Sequence, residues 1–274
     1  MKSFAVRRTI GTTICVIAAV ILLATWTLAQ GTLIRGDFAS GWLLVGMIVF
    51  LALYNVRKAL PFLPLGSSRM WLQLHIYVGL MTSFVFAVHV NFRIPNGMFE
   101  CLLALTYLLV FFSGIIGLWM TRTFPKRLAG LGQEVIYESV PILIRQLRTR
   151  IEELLLPTDD SSSTALAEFY RDHILPFLED GGRRLTYLMS GTNPDYQRLS
   201  RAIADQTRYL NDDEKQQLAE AEKLVIRQNQ INTQASLQFA LKVWLFVHIP
   251  ATWVLLIFAF FHSMLVHAWS GGLS

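Results

Sequence analysis

The sequence predicts an all-α integral membrane protein, a bundle of five spanning helices with a helical insertion between the fourth and fifth spans. The chain of 274 residues is 53% hydrophobic and only 16% charged, whereas a soluble domain has about a quarter charged residues. Each charge-free stretch is long enough for a membrane helix of about 20 residues. The five stretches are residues 9–34, 38–56, 70–92, 101–121 and 243–274.

The distribution of basic residues predicts the orientation of these spans. Lys and Arg occur in the N-terminal MKSFAVRR, in the loop NVRKALPFLPLGSSRM after span two, and in TRTFPKR after span four. Because Lys and Arg mark the cytoplasmic side, we expect the N-terminus and the insertion in the cytoplasm and the C-terminus outside the inner (plasma) membrane. The length of the first span favours a retained helix over a cleaved signal peptide.

The chain divides into three predicted parts. Residues 1–121 hold spans one to four, 122–236 form the cytoplasmic helical insertion, and 237–274 form span five with a short outer tail. The polar helix near the end of the insertion has neither Gly nor Pro over residues 212–249, so we expect it to continue into span five. The insertion contains no phosphate-binding loop, dinucleotide fingerprint or flavin motif, which favours a scaffold or docking role.

Charge and cysteine usage disfavour one class of partner and three kinds of cysteine chemistry. The net charge of +5 arises in the membrane part, so we expect membrane lipid and no nucleic acid as a partner. The two cysteines, Cys15 and Cys101, form no CxxCH or CxxC pattern, which disfavours covalently attached haem, a disulfide framework and a thiolate zinc site.

Spans three and five each contain two histidines, in HIYVGLMTSFVFAVH and HIPATWVLLIFAFFH. Fourteen helical residues fall about 40° short of four full turns, so both histidines of a span lie on nearly one face, about 21 Å apart. Ionisable groups in membrane spans are costly and usually functional. Because one crossing separates the two spans, they run parallel, which pairs His75 with His248 and His89 with His262 at two depths.

Two pairs of facing imidazoles are the axial ligand set of two non-covalent b-type haems. Gly79, on the face of His75, leaves room for a porphyrin. Arg93 near the outer ring, and Arg69 and Lys242 near the inner ring, are candidates for the haem propionates. Each basic residue equally suits a role as an interface anchor.

Other interpretations of the histidines stay open. The four histidines also suit helix packing, or a metal or proton pathway. His267 lies five residues after His262 and off the shared face; it is an alternative ligand or a neighbour of an outer substrate.

In these four histidines and in the layout of its spans, the chain resembles the dihaem membrane cytochromes b. The closest likeness is to the transmembrane core of the ferric reductase and NADPH oxidase family, over roughly residues 40–121 and 238–267. The resemblance implies an inner and an outer haem held between the third and fifth helices. The chain departs from that family in ending after span five, without a flavin domain, and in its insertion.

These departures favour an electron-transfer subunit of an oxidoreductase complex, fed by a quinol or a redox protein partner. One alternative is a quinone- or metal-reducing subunit with its own substrate site. Another is a haem-containing membrane sensor or scaffold. Whether the chain is itself an enzyme stays open at this point.

Overall fold

A computed structural model describes residues 36–59, 66–131, 135–156, 164–179 and 193–270. Five positions of the first apolar run are also described and are helical, namely Thr13, Ile17, Val20, Ile21 and Ala24. The rest of the predicted first span, the predicted outer tail after residue 270 and parts of the insertion lie outside the described residues.

Every regular element among the described residues is a helix, which confirms the all-α class. The bounds are α1 (Gly36–Ala59), α2 (Ser68–His89), α3 (Met98–Ala129), α4 (Val140–Leu155), α5 (Thr164–Phe169), α6 (Leu175–Glu179), α7 (Pro194–Gln206) and α8 (Asp212–Ser270). A 3-10 turn at Tyr137–Ser139 precedes α4, and a π-helical turn at Tyr170–Ile174 joins α5 to α6.

Four of these helices, α1, α2, α3 and α8, are long and apolar enough to cross a membrane. Only 11–17% of their most apolar windows is buried within the chain. Apolar surface of that extent is unfavourable in water and suits lipid contact. The chain is therefore a membrane protein, and the first of the five predicted spans lies mostly outside the described residues.

Two helices extend beyond the charge-free stretches that predicted them. α3 continues past residue 121 to Ala129 and contains Pro125. α8 is a single helix of 59 residues that contains Pro250, so the predicted continuity of the last polar helix with the last span is confirmed. Charged residues set the end of the apolar window in the sequence, but they are good helix formers and do not end a helix.

The chain forms two compact units. The first unit comprises Met1–Leu118 and Phe246–Ser274, and the second comprises Trp119–Leu245. In the first unit, α1, α2, α3 and α8 all contribute to one buried cluster, made of Leu44, Ile48, Val85, Tyr107 and Leu255. The four helices therefore enclose a common core.

The second unit has its own core beneath amphipathic helices. Ile151 of α4, Ile174 of the π-helical turn and Val225 of α8 are each fully buried there. Burying a large aliphatic side chain contributes about 1.5–3 kcal/mol. A smaller cluster joins Phe124 of α3 to Leu237 of α8.

Candidate functional site

The four paired histidines all lie in the first unit. On each helix the two histidines are 14 residues apart, about 21 Å along the axis. They therefore form two sites, named here the 89/262 site and the 75/248 site after their histidines.

At the 89/262 site the two imidazoles lie close together. The ring centroids of His89 and His262 are 6.3 Å apart and the ring planes are perpendicular, at 90°. Phe99 of α3 stacks against His262 with 6.5 Å between ring centroids. The site thus brings together α2, α8 and α3.

Helix α1 orients His89. The hydroxyl of Ser40, which is buried, lies 3.1 Å from Nδ1 of His89. A Cβ atom at the next residue, Gly41, would lie 3.0 Å from Cε1 of His89. The imidazole therefore packs directly on the α1 backbone, and a hydrogen bond at Nδ1 makes Nε2 the nitrogen that would bind a metal.

A cavity of about 320 Å³ adjoins this site. His89, His262 and Arg93 line it, as does Ala259, one turn before the second histidine. Most of its other walls are apolar side chains. Its volume falls in the range of about 300–1,000 Å³ that is usual for small-molecule and cofactor sites.

The turn after α2 directs Arg93 to the cavity. Asn91 and Phe92 have positive φ angles of 51° and 53°. The N–H of Phe92 donates to the carbonyl oxygen of Ala87 at 2.9 Å, and the N–H of Asn91 donates to that of Val88 at 3.0 Å. These two bonds form a Schellman cap, in which Asn is tolerated at the left-handed position.

His267 lines the same cavity, although its sequence offset took it off the face of His262. Its Nδ1 lies 2.8 Å from the carbonyl oxygen of Ser263, and since a carbonyl only accepts, Nδ1 carries the proton. Its ring meets the edges of Phe38 and Trp42, with centroids 5.6 and 5.5 Å away. Helix α1 thus supplies the wall that puts His267 at the cavity.

At the 75/248 site, a serine of α3 holds His248. The hydroxyl of Ser113 lies 2.7 Å from Nδ1 of His248 and donates its own proton to the carbonyl oxygen of Val110 at 2.8 Å. Its single proton is thus committed, so Nδ1 of His248 must donate and Nε2 has the lone pair. A Cβ at Gly114 would make an ordinary contact of 3.7 Å with Cε1 of His248.

His75 completes the second site. Its ring centroid is 5.2 Å from that of Tyr54 on α1. One turn further on, a Cβ at Gly79 would meet nothing within 4 Å. A side chain at position 79 would therefore enter open space, and its use by a porphyrin stays a prediction.

A buried aromatic and hydroxyl cluster lies between the two sites. Thr82 is seven residues from each histidine of α2. The hydroxyl of Tyr107 donates to Oγ1 of Thr82 at 3.1 Å, and its ring stacks on Phe86 with 4.2 Å between centroids. Both Thr82 and Tyr107 are buried, so a packed layer separates the sites.

The other two predicted basic residues, Arg69 and Lys242, have the following surroundings. Arg69 is exposed in the first turn of α2. Lys242, in the second unit, places its Nζ 2.6 Å from a carboxylate oxygen of Glu138 and 4.1 Å from the centroid of Tyr137. That hydrogen bond holds the pKa of Glu138 below its ordinary value.

Sequence reasoning missed the contribution of α1. Ser40, Gly41 and Tyr54 each contact a paired histidine, and Tyr107 lies between the sites. The adjacent small residues Ser40 and Gly41 were the available signal, because small residues mark close helix contacts in membranes.

The 89/262 site brings two histidine rings together, and within the described ranges no group of three or more His, Cys, Asp or Glu side chains is arranged to hold a metal ion. Opposed pairs of this kind suit a metal whose other ligands come from a cofactor. No family model, curated protein or solved structure matches the chain.

Proposed function

We propose that the chain is a dihaem b-type membrane cytochrome that carries electrons across the membrane one at a time. The opposed arrangement of His89 and His262 carries the proposal. Two metal–imidazole bonds of about 2 Å, with about 1 Å more from each nitrogen to its ring centre, total about 6 Å. The observed centroid distance is 6.3 Å.

The serine contacts support the same assignment. Histidines that bind a metal almost always donate their second ring N–H to a neighbouring acceptor, which fixes the tautomer and the ring orientation. Ser113 plays this part for His248 and Ser40 contacts the equivalent nitrogen of His89. Two serines on two different helices thus prepare one histidine of each pair.

Space and charge also fit. The cavity at the 89/262 site and the open space at Gly79 lie beside the histidines. Arg93 at the cavity is suited to bind a propionate, since guanidinium groups pair with carboxylates. For Arg69 and Lys242 the propionate role stays a prediction.

In this function the protein binds the haems, orients the histidine ligands and shields both sites from water. The four histidines hold the two irons, the serines fix ring orientation, and the apolar walls exclude water. Bound haem would supply the one-electron acceptor and donor at each site. The packed layer of Tyr107 and Thr82 keeps the sites separate.

The wider assignment includes topology and partners. We place five spans in the inner (plasma) membrane, with the N-terminus and residues 122–236 cytoplasmic and the C-terminus outside. A quinol or a redox protein supplies or accepts the electrons, and the chain serves as a subunit of a larger oxidoreductase complex. The concentration of Lys and Arg in the loops on one side of the spans supports this orientation.

A reduced-minus-oxidised spectrum of the purified protein, with a haem-to-protein ratio, tests the proposal. We expect two b haems per chain. His89→Ala and His262→Ala should each lose one haem, and His75→Ala and His248→Ala the other. His173→Ala, on an exposed side chain of the second unit, is the control and should retain both.

A ratio of one, or an unchanged spectrum in all four variants, contradicts the assignment. A protein without a Soret band after haem supplementation excludes haem altogether.

His267 favours a second candidate function, a quinone- or metal-reducing subunit with its own substrate site. Its Nε2 has the lone pair, since Nδ1 donates to Ser263, and it lines the cavity beside Arg93. Quinone- or ferric-dependent oxidation of the reduced protein that is lost in His267→Ala, with both haems retained, would support this candidate. Unchanged oxidation in that variant would exclude His267 from it.

A further inference from the structure

Residues 135–142 form an elbow that is hydrogen-bonded to α8. The elbow comprises the end of the segment between α3 and α4 and the first turn of α4. The N–H of Val135 donates to the side-chain oxygen of Gln234 at 2.9 Å. Three residues later, Glu138 accepts a hydrogen bond of 2.6 Å from Lys242. Both contacts lie within the second unit, so the elbow follows α8 from residue 234 to residue 242.

The elbow reaches the point along α8 where charged residues stop and the helix becomes apolar enough for lipid. Lys242 is the last charged residue of the chain, and none follows it to residue 270. From residue 234 to 242 the elbow therefore advances about 12 Å along α8, towards its apolar half.

Helix α4 then turns back. Val140 packs against Ile231, and Ile151 lies in the cluster that contains Leu218 and Val225 of α8. Helix α4 thus runs away from the apolar half. The tip of the elbow, at the level of Lys242, is therefore closer than the body of α4 to the predicted membrane surface.

Large apolar side chains are exposed at the tip and in the first turn of α4. Ile136 is 71% exposed and Ile142 is 55% exposed. Val140 and Ile144 occupy the buried side of α4, and Ile142 is two residues from either, about 200° around the helix. Ile142 therefore lies on the side of α4 that faces away from the core.

The rest of the outward face of α4 is polar. Beyond Pro141 and Ile142, the exposed residues are Arg145, Gln146, Thr149, Arg150 and Glu153. An outward face that is apolar only in the turn nearest the membrane, and basic one turn later, has the pattern of an interfacial element. Arg122 and Lys126 are exposed at the end of α3, whose Phe124 packs on Leu237, so basic charge surrounds this level.

We propose that the elbow is a lipid-binding element of the insertion. Ile136, Pro141 and Ile142 enter the headgroup layer of the leaflet on the Lys242 side, and Arg145 binds anionic headgroups there. The basic charge at this level is complementary to anionic lipid. The ion pair of Glu138 with Lys242 holds the tip at that depth.

Site-specific fluorescence tests this proposal on the full chain. In a Cys15→Ser and Cys101→Ser background, an environment-sensitive fluorophore is attached to Ile136→Cys or Ile142→Cys. The labelled protein is reconstituted into vesicles of phosphatidylcholine, with or without phosphatidylglycerol. We expect blue-shifted emission at both positions, several-fold stronger quenching by lipid-borne nitroxides than by aqueous iodide, and a further blue shift with the anionic lipid.

Tyr209→Cys is the matched control. Tyr209 is 84% exposed and lies in the same unit, but it precedes α8, whose first residue is about 45 Å from Lys242 along the helix. Its label should be quenched by iodide and not by lipid nitroxides. Circular dichroism of every variant checks that helix content is retained.

Two results would overturn the proposal. Iodide quenching at position 142 as strong as at 209 would put the elbow in water. Protection from both quenchers would mean that a protein surface covers it. Arg145→Glu should abolish the further shift in anionic vesicles only, and an unchanged shift would remove Arg145 from the lipid site. None of these outcomes depends on haem.

Discussion

Ser40 and Ser113 are small residues with a large expected effect, because each contacts Nδ1 of a paired histidine from another helix. A serine hydroxyl in this place sets both the tautomer and the rotation of the imidazole. The two contacts therefore determine which nitrogen faces a ligand.

Replacing either serine should weaken haem binding without preventing folding. We expect Ser113→Ala to reduce haem affinity at the 75/248 site by about 10–100-fold, and Ser40→Ala to do so at the 89/262 site. Haem titration of the purified apoprotein measures this. Ser83→Ala is the control, since its hydroxyl donates to the Leu80 carbonyl of its own helix at 2.7 Å; an equal loss there would contradict the prediction.

A methyl group at Gly41 should disturb the 89/262 site alone. Its Cβ would lie 3.0 Å from Cε1 of His89, so the ring must move away from α1. We expect Gly41→Ala to lower haem occupancy at this site and to leave the 75/248 haem in place. Gly46→Ala adds the same methyl group on α1 where nothing lies within 4 Å and should keep both haems.

Tyr170 links the π-helical turn to α4. Its hydroxyl donates to Glu152 at 2.9 Å, and burial, with a smaller effect of Glu152, raises its pKa to about 12. The folded state therefore favours the neutral phenol. The stability that this gives is complete below the ordinary tyrosine pKa of about 10 and is lost as the pH rises towards 12.

Tyr170→Phe should accordingly destabilise the second unit by about 1 kcal/mol at neutral pH. The difference from the unaltered chain should shrink from about pH 9 to about pH 11, because the variant has no phenol to ionise there. Thermal unfolding followed by circular dichroism measures both effects. A difference that does not change with pH would show that the phenol is not held neutral.

At the scale of single elements, the Schellman cap of α2 fixes the path of the chain after His89. Asn91 has a φ of 51°, which an asparagine or glycine adopts at little cost and a β-branched residue does not. The cap sets the direction in which Arg93 leaves the helix.

We expect Asn91→Gly to leave stability within about 0.5 kcal/mol of the original, and Asn91→Val to lower it by roughly 1–2 kcal/mol. Thermal unfolding in detergent compares the two variants. Equal melting temperatures would mean that the turn adopts another conformation when residue 91 changes.

The elements also show what the sequence could predict. Gaps in charge located α1, α2, α3 and the apolar half of α8, because desolvating a charge in lipid is costly. They could not locate the end of α3, because Lys126 and Arg127 in its last turn end the apolar stretch without ending the helix. The interruption of the helix at residues 135 and 136 was also not anticipated, because the backbone hydrogen bonds of Val135 are made with Gln234 and Gln238, in a distant part of the chain.

At the scale of the whole molecule, spacing and charge predicted which helices face each other. The histidine register placed His89 opposite His262, and the structure brings those rings together. The parts of the site contributed by α1 could not be predicted in this way. They depend on the rotation of α1 about its own axis, which is set by packing of Leu44 and Ile48 into the common core.

The two serine contacts have a consequence for the order in which the protein is made. Ser40 and His89 are separated by 49 residues, whereas Ser113 and His248 are separated by 135. At about 5–20 residues/s, on the order of ten seconds separate the synthesis of His89 from that of His248. Ser40 of α1 can therefore orient the His89 ring while the ribosome is still translating the insertion. Both pairs nevertheless need α8, so under the proposed function neither site can be completed before the insertion has been translated.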